Sequence, residues 1–233
     1  MASSALLLLS DIPEWLPYVA AVVVIVGAIW GISAYYERKR SEALSPLAAQ
    51  MGFTFSAKDD GQSPHGQMQT ALFQKGHSKE FRNIMTGSAG NLRAVLFDYK
   101  YTVGRGRYSH TYKQTVATYS RNGLQLPIFE VRQRGLWLKL FSGKGIRFDS
   151  HPEFARTMYV RCSDEVRAQS IFTPALLSFL SQMDPGKKWR FEGQGDTLVV
   201  YRSEKKVKPP DLRSFLDETS SLATQFFTQG NCK

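Results

Sequence analysis

From Tyr99 to Arg121 the chain reads YKYTVGRGRYSHTYKQTVATYSR, with Lys100, Arg105, Arg107, Lys113 and Arg121 and no acidic residue. Tyr99, Tyr101, Tyr108, Tyr112 and Tyr119 are interleaved with these bases. Cationic side chains set among aromatic rings can hold anionic lipid headgroups or single-stranded nucleic acid. Val131 to Phe148 repeats the theme with Arg132, Arg134, Lys139, Lys144 and Arg147, again without an acid. The plainest account of both stretches is architectural: tyrosine is a good strand former, and the bases would stay solvated on a twisted hairpin. Lys100, Arg105, Arg107 and Lys113 are the candidates for contact with an anionic surface, lipid headgroups fitting better than nucleic acid.

Residues that would carry catalysis are not gathered into a motif. His65, His77, His110 and His151 have no second histidine or cysteine at helical spacing, and three of them fall in predicted loops, so no metal site is assigned. There is no G-x-S-x-G; Gly87-Ser88-Ala89-Gly90 reads as a turn between strands. Gly143-Lys144-Gly145 lacks the rest of a phosphate loop, and Gly104-Arg105-Gly106 is a hairpin tip. Asp59-Asp60 and Asp164-Glu165 sit in a loop and at a helix start, where solvation and the helix dipole account for them. No catalytic, cofactor-binding or metal-ligating residue is nominated. A hydrolase or transferase would need a deep polar pocket near His110, His151 or Asp98.

The surface that would present these bases is placed by the residues before it. Trp15 to Tyr36 (WLPYVAAVVVIVGAIWGISAYY) is 22 residues without a charge, followed at once by Glu37-Arg38-Lys39-Arg40. As a helix it would reach roughly 33 Å, against a hydrocarbon core of about 30 Å. Aromatic residues stand at both ends, where rings favour the headgroup region. The first 14 residues carry Asp11 and Glu14 but no Lys or Arg, so the basic flank predicts an outside N-terminus and a cytoplasmic C-terminal part. A cleaved signal peptide would want a basic start and a shorter apolar stretch. Gly27 and Gly31 form a G-x-x-x-G pair, a spacing that lets two membrane helices approach closely and self-associate.

The chain's net charge of +10 lies entirely beyond residue 40. Residues 41–150 carry 15 bases against 7 acids, and residues 151–233 carry 12 against 10. The reading is therefore a short extracytoplasmic N-terminus (1–14), a transmembrane helix (15–36), a basic antiparallel β-rich region (41–150) and an α+β C-terminal region (151–233). Cys162 and Cys232 have neither metal nor disulfide-framework spacing, and Cys162 reads as a small buried side chain in a strand.

Period-two alternation makes Arg93–Val103 a strand, with Val95, Phe97, Tyr99, Tyr101 and Val103 on one face and Ala94, Leu96, Asp98 and Lys100 on the other. Thr111–Tyr119 would return from it as a long antiparallel hairpin. Further strands are predicted at Phe53–Phe55, Phe81–Met85, Pro127–Gln133, Trp137–Phe141 and Thr157–Cys162, with a hairpin of Trp189–Glu192 and Thr197–Arg202. Ser41–Met51 reads as a short helix interrupted or restarted at Pro46. Ser163 is placed as the cap of a helix from Asp164, and Thr173-Pro174 starts a helix to about Met183. Asp211–Phe227 is amphipathic through Leu212, Phe215, Leu216, Leu222, Ala223 and Phe226. The fold class is α+β: one transmembrane helix, then a mainly antiparallel sheet with helices concentrated in the C-terminal third.

The runs LFDYKYTVGRGRYSHTYKQTVATY, LPIFEVR, HPEFARTMYVRCSDE, IFTPALLSFL and GDTLVVYR resemble an uncharacterised family of bacterial membrane-anchored proteins with an FDY-x-Y-T strand. The resemblance spans most of Leu47–Phe227. It implies a bacterial inner-membrane location and a cytoplasmic α+β domain, and it carries over no catalytic or binding residue. The functional expectation is a non-enzymatic interaction module on the membrane, docking on anionic lipid through the hairpin. The alternative is a membrane assembly or scaffold protein working through a protein partner or homo-oligomer.

Overall fold

A computed structural model describes residues 13, 15–61, 67–133, 145–146 and 148–230. The chain divides into two units, Met1–Ala43 and Leu44–Lys233. Helix α1 (Leu16–Gln50) is exposed at every residue from Leu16 to Tyr36, and Trp30 is 79 % exposed. Among the described residues α1 is the one helix long and apolar enough to cross a membrane. Pro46 lies inside α1 and does not end it. It is exposed, so water can take over the hydrogen bond that proline cannot donate.

The second unit is built on one eight-stranded sheet in the order β1-β2-β3-β4-β8-β7-β5-β6, every pair antiparallel. The strands are β1 (Thr54–Lys58), β2 (His77–Ala89), β3 (Leu92–Val103), β4 (His110–Ser120), β5 (Leu126–Gln133), β6 (Met158–Cys162), β7 (Trp189–Gly195) and β8 (Thr197–Arg202). Residues on both sides of 150 share this sheet, since the β7–β8 hairpin fills the gap between β4 and β5. The expected β3–β4 hairpin is present in continuous register from Arg93↔Ser120 to Val103↔His110. Trp137–Phe141 lies outside the described residues.

Strand parity assigns the two faces. On one, Leu96, Ala117, Tyr119, Phe129, Val131, Phe191 and Val200 meet the helices and the buried Leu44 and Ala48 at the end of α1. These helices are α3 (Pro152–Thr157), α4 (Glu165–Ile171), α5 (Pro174–Ser181) and α6 (Leu212–Gln229). Asp164, one residue later than expected, is the cap of α4: its side chain accepts from the Arg167 amide. Thr173 caps α5 as expected, with Pro174 at the first helical position. Phe226 of α6 is fully buried, its ring 5.6 Å from Phe129 and 6.0 Å from both Phe172 and Phe191. Gly193 makes room for Phe129: a Cβ there would sit 2.1 Å from the ring. The stripe read from the sequence for α6 is correct except that Thr219 and Phe227 are also buried and Leu222 only partly so. Cys162 is half-buried at the end of β6.

The other face carries Val95, Phe97, Tyr99, Tyr101, Val116, Val199 and Tyr201. Among the described residues its cover is the segment before β2, where the four-residue helix α2 (Ala71–Gln74) inserts Leu72 and Phe73.

Truncating the ring at the centre of the helical face, Phe226→Ala, should cost about 3–5 kcal/mol. Urea unfolding followed by circular dichroism should show the midpoint fall with an unchanged slope. A loss below about 1 kcal/mol would mean the site collapses around the missing ring.

Candidate functional site

Away from the helices, the sheet face changes character from strand to strand. β3, β4 and β8 present aromatic and aliphatic side chains; β5 and β7 present Glu130, Arg132, Arg190 and Glu192. Glu130 stands opposite Glu192, and Arg132 opposite Arg190. Like charges opposed across strands are unfavourable unless paired elsewhere. The pairing is diagonal: Arg190 Nη1 donates to Glu130 Oε1 at 3.0 Å, and the Arg132 guanidinium lies 4.9 Å from the Tyr159 ring centre.

Glu192 is wholly buried and fastens the cover of this face. The Leu72 amide donates to its Oε2 at 2.8 Å and the Tyr201 hydroxyl to its Oε1 at 2.7 Å. Gln194, two residues on, accepts from the Gln69 amide at 2.6 Å. Burial raises the Glu192 pKa, the hydrogen bonds opposing it. The segment so held turns into β2 at Gly76, whose φ is +65° and where a Cβ would lie 2.2 Å from the Thr102 carbonyl oxygen. Both the backbone angle and the close approach require glycine.

Where cover ends, a cavity of about 300 Å³ opens between the aromatic and charged strips. Tyr101, Tyr112 and Tyr201 form one wall. Tyr101 and Tyr112 are cross-strand partners with stacked rings 5.0 Å apart. Lys75 and Arg190, the latter the cross-strand partner of Tyr201, also line it, with Ser203 and Glu204. Burial, then the nearby Arg190 charge, lowers the Lys75 pKa. Burial pushes Tyr101 up to about 12, so its hydroxyl remains a donor.

The four bases nominated from the sequence lie at the same end of the sheet. Lys100 and Lys113 are directly opposed on β3 and β4, on the face away from the tyrosines. Lys100 pairs with Glu80, which Arg82 also contacts at 2.5 Å. Burial pushes the Glu80 carboxyl up, but those two cations outweigh it and hold its pKa below the usual range. Arg105 and Arg107 are exposed in the connecting turn, where the Arg107 guanidinium lies 5.1 Å from the Tyr108 ring centre and Tyr108 is 77 % exposed.

A second basic segment, Lys205 to Pro210, which its charge and prolines mark in the sequence as a linker, lies along β4. Residues after β8 are stitched to β4: the Thr115 amide donates to Lys205 O at 3.0 Å, the Glu204 amide to Gln114 Oε1 at 3.1 Å, and the Val207 amide to Thr115 Oγ1 at 2.9 Å. Lys206 reaches the buried Asp98 at 3.5 Å, and Asp98 also accepts from Asn83 and Thr115 at 2.9 Å each. Lys205 and Lys208 are left exposed beside the hairpin. Their charge run was visible in the sequence; their partner strand was not.

The remaining candidates are scattered. His77 bonds the Gly104 carbonyl at 2.9 Å, His110 packs edge-on to Tyr112, and His151 bonds Ser150. His65 lies outside the described residues. Gly27 and Gly31 are on the exposed part of α1.

No protein-family model matches the chain, and no curated protein matches it. Among solved structures, the crystal structure of the mycobacterial trehalose monomycolate transport factor A, TtfA, is similar, with a TM-score of 0.54 over 81 % of this chain and 93 % of that chain at 13 % identity. Similarity at that identity is a likeness of fold.

The buried carboxyl makes a pH-dependent prediction. A raised folded pKa means the folded state holds the proton more tightly than the unfolded chain, whose Glu titrates near 4.5. Stability from this group therefore falls as pH rises from about 4.5 to the raised value and is constant above it. Glu192→Gln keeps an acceptor for Leu72 and removes the titration. Its stability relative to the parent protein should rise over that interval, as read from urea midpoints across a pH series. A difference independent of pH would remove Glu192 as the cause.

Proposed function

We propose that this chain is a single-pass protein of the bacterial inner membrane whose second unit is a non-enzymatic interaction module at the cytoplasmic face. It docks on anionic lipid with the end of the β3–β4 hairpin. The observation that carries this reading is the acid-free turn Gly104–Ser109, which exposes Arg105, Arg107 and Tyr108, with Lys113, Lys205 and Lys208 exposed behind it. Near an anionic leaflet each such base is worth about 1 kcal/mol, and tyrosine suits a surface that is apolar on one side and wet on the other. Lys100 contributes less, since Glu80 already neutralises it. Arg38, Lys39 and Arg40 after the apolar part of α1 support the cytoplasmic orientation. The fold it shares with a protein named as a transport factor is compatible with an accessory role at a membrane.

In nanodiscs the full chain should show slower amide exchange over residues 103–109 with phosphatidylglycerol than with neutral lipid alone. The protection should weaken as salt rises, because exposed charges are screened beyond about 10 Å at 0.1 M, and it should vanish in Arg105→Glu/Arg107→Glu/Lys113→Glu. Equal exchange in both lipids would overturn the docking surface.

A second reading, assembly through the membrane helix, is favoured by Gly27 and Gly31: a Cβ at either meets nothing within 4 Å, so the backbone is open to a second helix. Gly27→Leu should then abolish dimers detected by energy transfer between labelled chains in vesicles. Dimers that persist would exclude this contact.

A further inference from the structure

The cavity beside Tyr101 lies on the opposite face of the hairpin from Lys100 and Lys113, and its chemistry differs from theirs. Its protein groups are unevenly matched. Lys75 has no carboxylate at ion-pair distance among the described residues. Arg190 uses one guanidinium nitrogen on Glu130, leaving N–H donors to spare. One step deeper on the same sheet face, the cross-strand partners Tyr99 and Gln114 are both almost wholly buried. The Tyr99 hydroxyl and Gln114 Nε2 find no acceptor among the described residues. Buried donors are nearly always satisfied. The acids nearby are already engaged or peripheral: Glu192 accepts twice, Glu130 holds Arg190, and Glu204 is an exposed rim residue.

We propose that this cavity binds a phosphate ester of headgroup size, the phosphate held by Lys75 and Arg190 and the attached body lying against the Tyr101–Tyr112 wall. The geometry suits that class on three counts. The guanidinium fork and the ammonium supply charge-assisted donors to an oxyanion. The stacked tyrosines supply a flat apolar surface, with the Tyr101 hydroxyl kept as a donor by burial. A volume of about 300 Å³ is at the small end of ligand sites and admits a headgroup rather than an acyl chain. Burial and then the Arg190 charge lower the Lys75 pKa against the opposing pull of Glu130 and Glu192, and a phosphate beside the ammonium would raise it again. Gly76 and the Glu192 clamp hold the Lys75 side of the cavity in place, as Gln114 holds the Glu204 side.

The test uses the full chain in neutral-lipid nanodiscs, titrated with inorganic phosphate, glycerol phosphate and glycerol by calorimetry, and separately in nanodiscs containing phosphatidylglycerol. Amide exchange is followed at residues 72–78 and 99–114. Binding of glycerol phosphate but not glycerol, weakened at least tenfold by Lys75→Met and restored by Lys75→Arg, supports the site and assigns it a soluble ester. Protection of both segments by phosphatidylglycerol alone, lost in Lys75→Met, supports the site and assigns it a lipid headgroup. Arg190→Lys, which keeps the charge beside Glu130, should also weaken binding and guards against a folding defect in the first variant. No binding of any phosphate, or binding indifferent to Lys75→Met, overturns the proposal. The hairpin triple variant leaves Lys75, Arg190 and the tyrosines intact, so failure of lipid docking and failure of this site are separable.

Discussion

A sheet that is apolar on both faces must be covered on both, and among the described residues this one is covered unequally. Four helices and the end of α1 close one face over a continuous aromatic core. Among the described residues the other is closed by a short segment around Leu72 and Phe73. What fastens it is Glu192, an ionisable group with no exposure that accepts from the Leu72 amide and the Tyr201 hydroxyl. Burying a carboxyl is costly unless its oxygens are met, and here the meeting of those oxygens places the cover, Lys75 and Gly76.

The unequal cover explains why chemistry collects at one end of the molecule. β3 and β4 run on past their cover, and strand parity splits the protruding hairpin into two surfaces. One carries Lys100 and Lys113, and the segment after β8 is bonded to β4 beside it through Lys205 O and the Val207 amide. The other carries Tyr101 and Tyr112 against Arg190 and Lys75. The turn joining them exposes Arg105, Arg107 and Tyr108. A single hairpin thus offers a basic surface and an aromatic cavity back to back.

Much of this architecture was legible in the residues. Alternation over 93–103 located β3, and the acid-free turn located its tip. Thr173-Pro174 located a helix start because the cap and the fixed proline φ act within one turn. The misreadings also have local causes. Pro46 signals a break, yet on an exposed side of a helix its missing bond is met by water. His151-Pro152 starts a one-turn helix too short to show a period. Alternation in β3 put Asp98 on one face with Ala94, Leu96 and Lys100 but could not show that Asn83, Thr115 and Lys206 bury it.

The sequence by itself determined the apolar 22-residue segment and its basic flank, the α+β class, the hairpin and its charge, because each depends on residues a few positions apart. The tertiary structure alone decided that residues on both sides of 150 share one sheet. It also decided that Leu72 meets Glu192 across 120 positions, and that Lys75 and Arg190 share a cavity with Tyr112. Those encounters follow from the order in which strands pair, and pairing order is set by how two buried faces can be closed at once, which no local pattern of residues records.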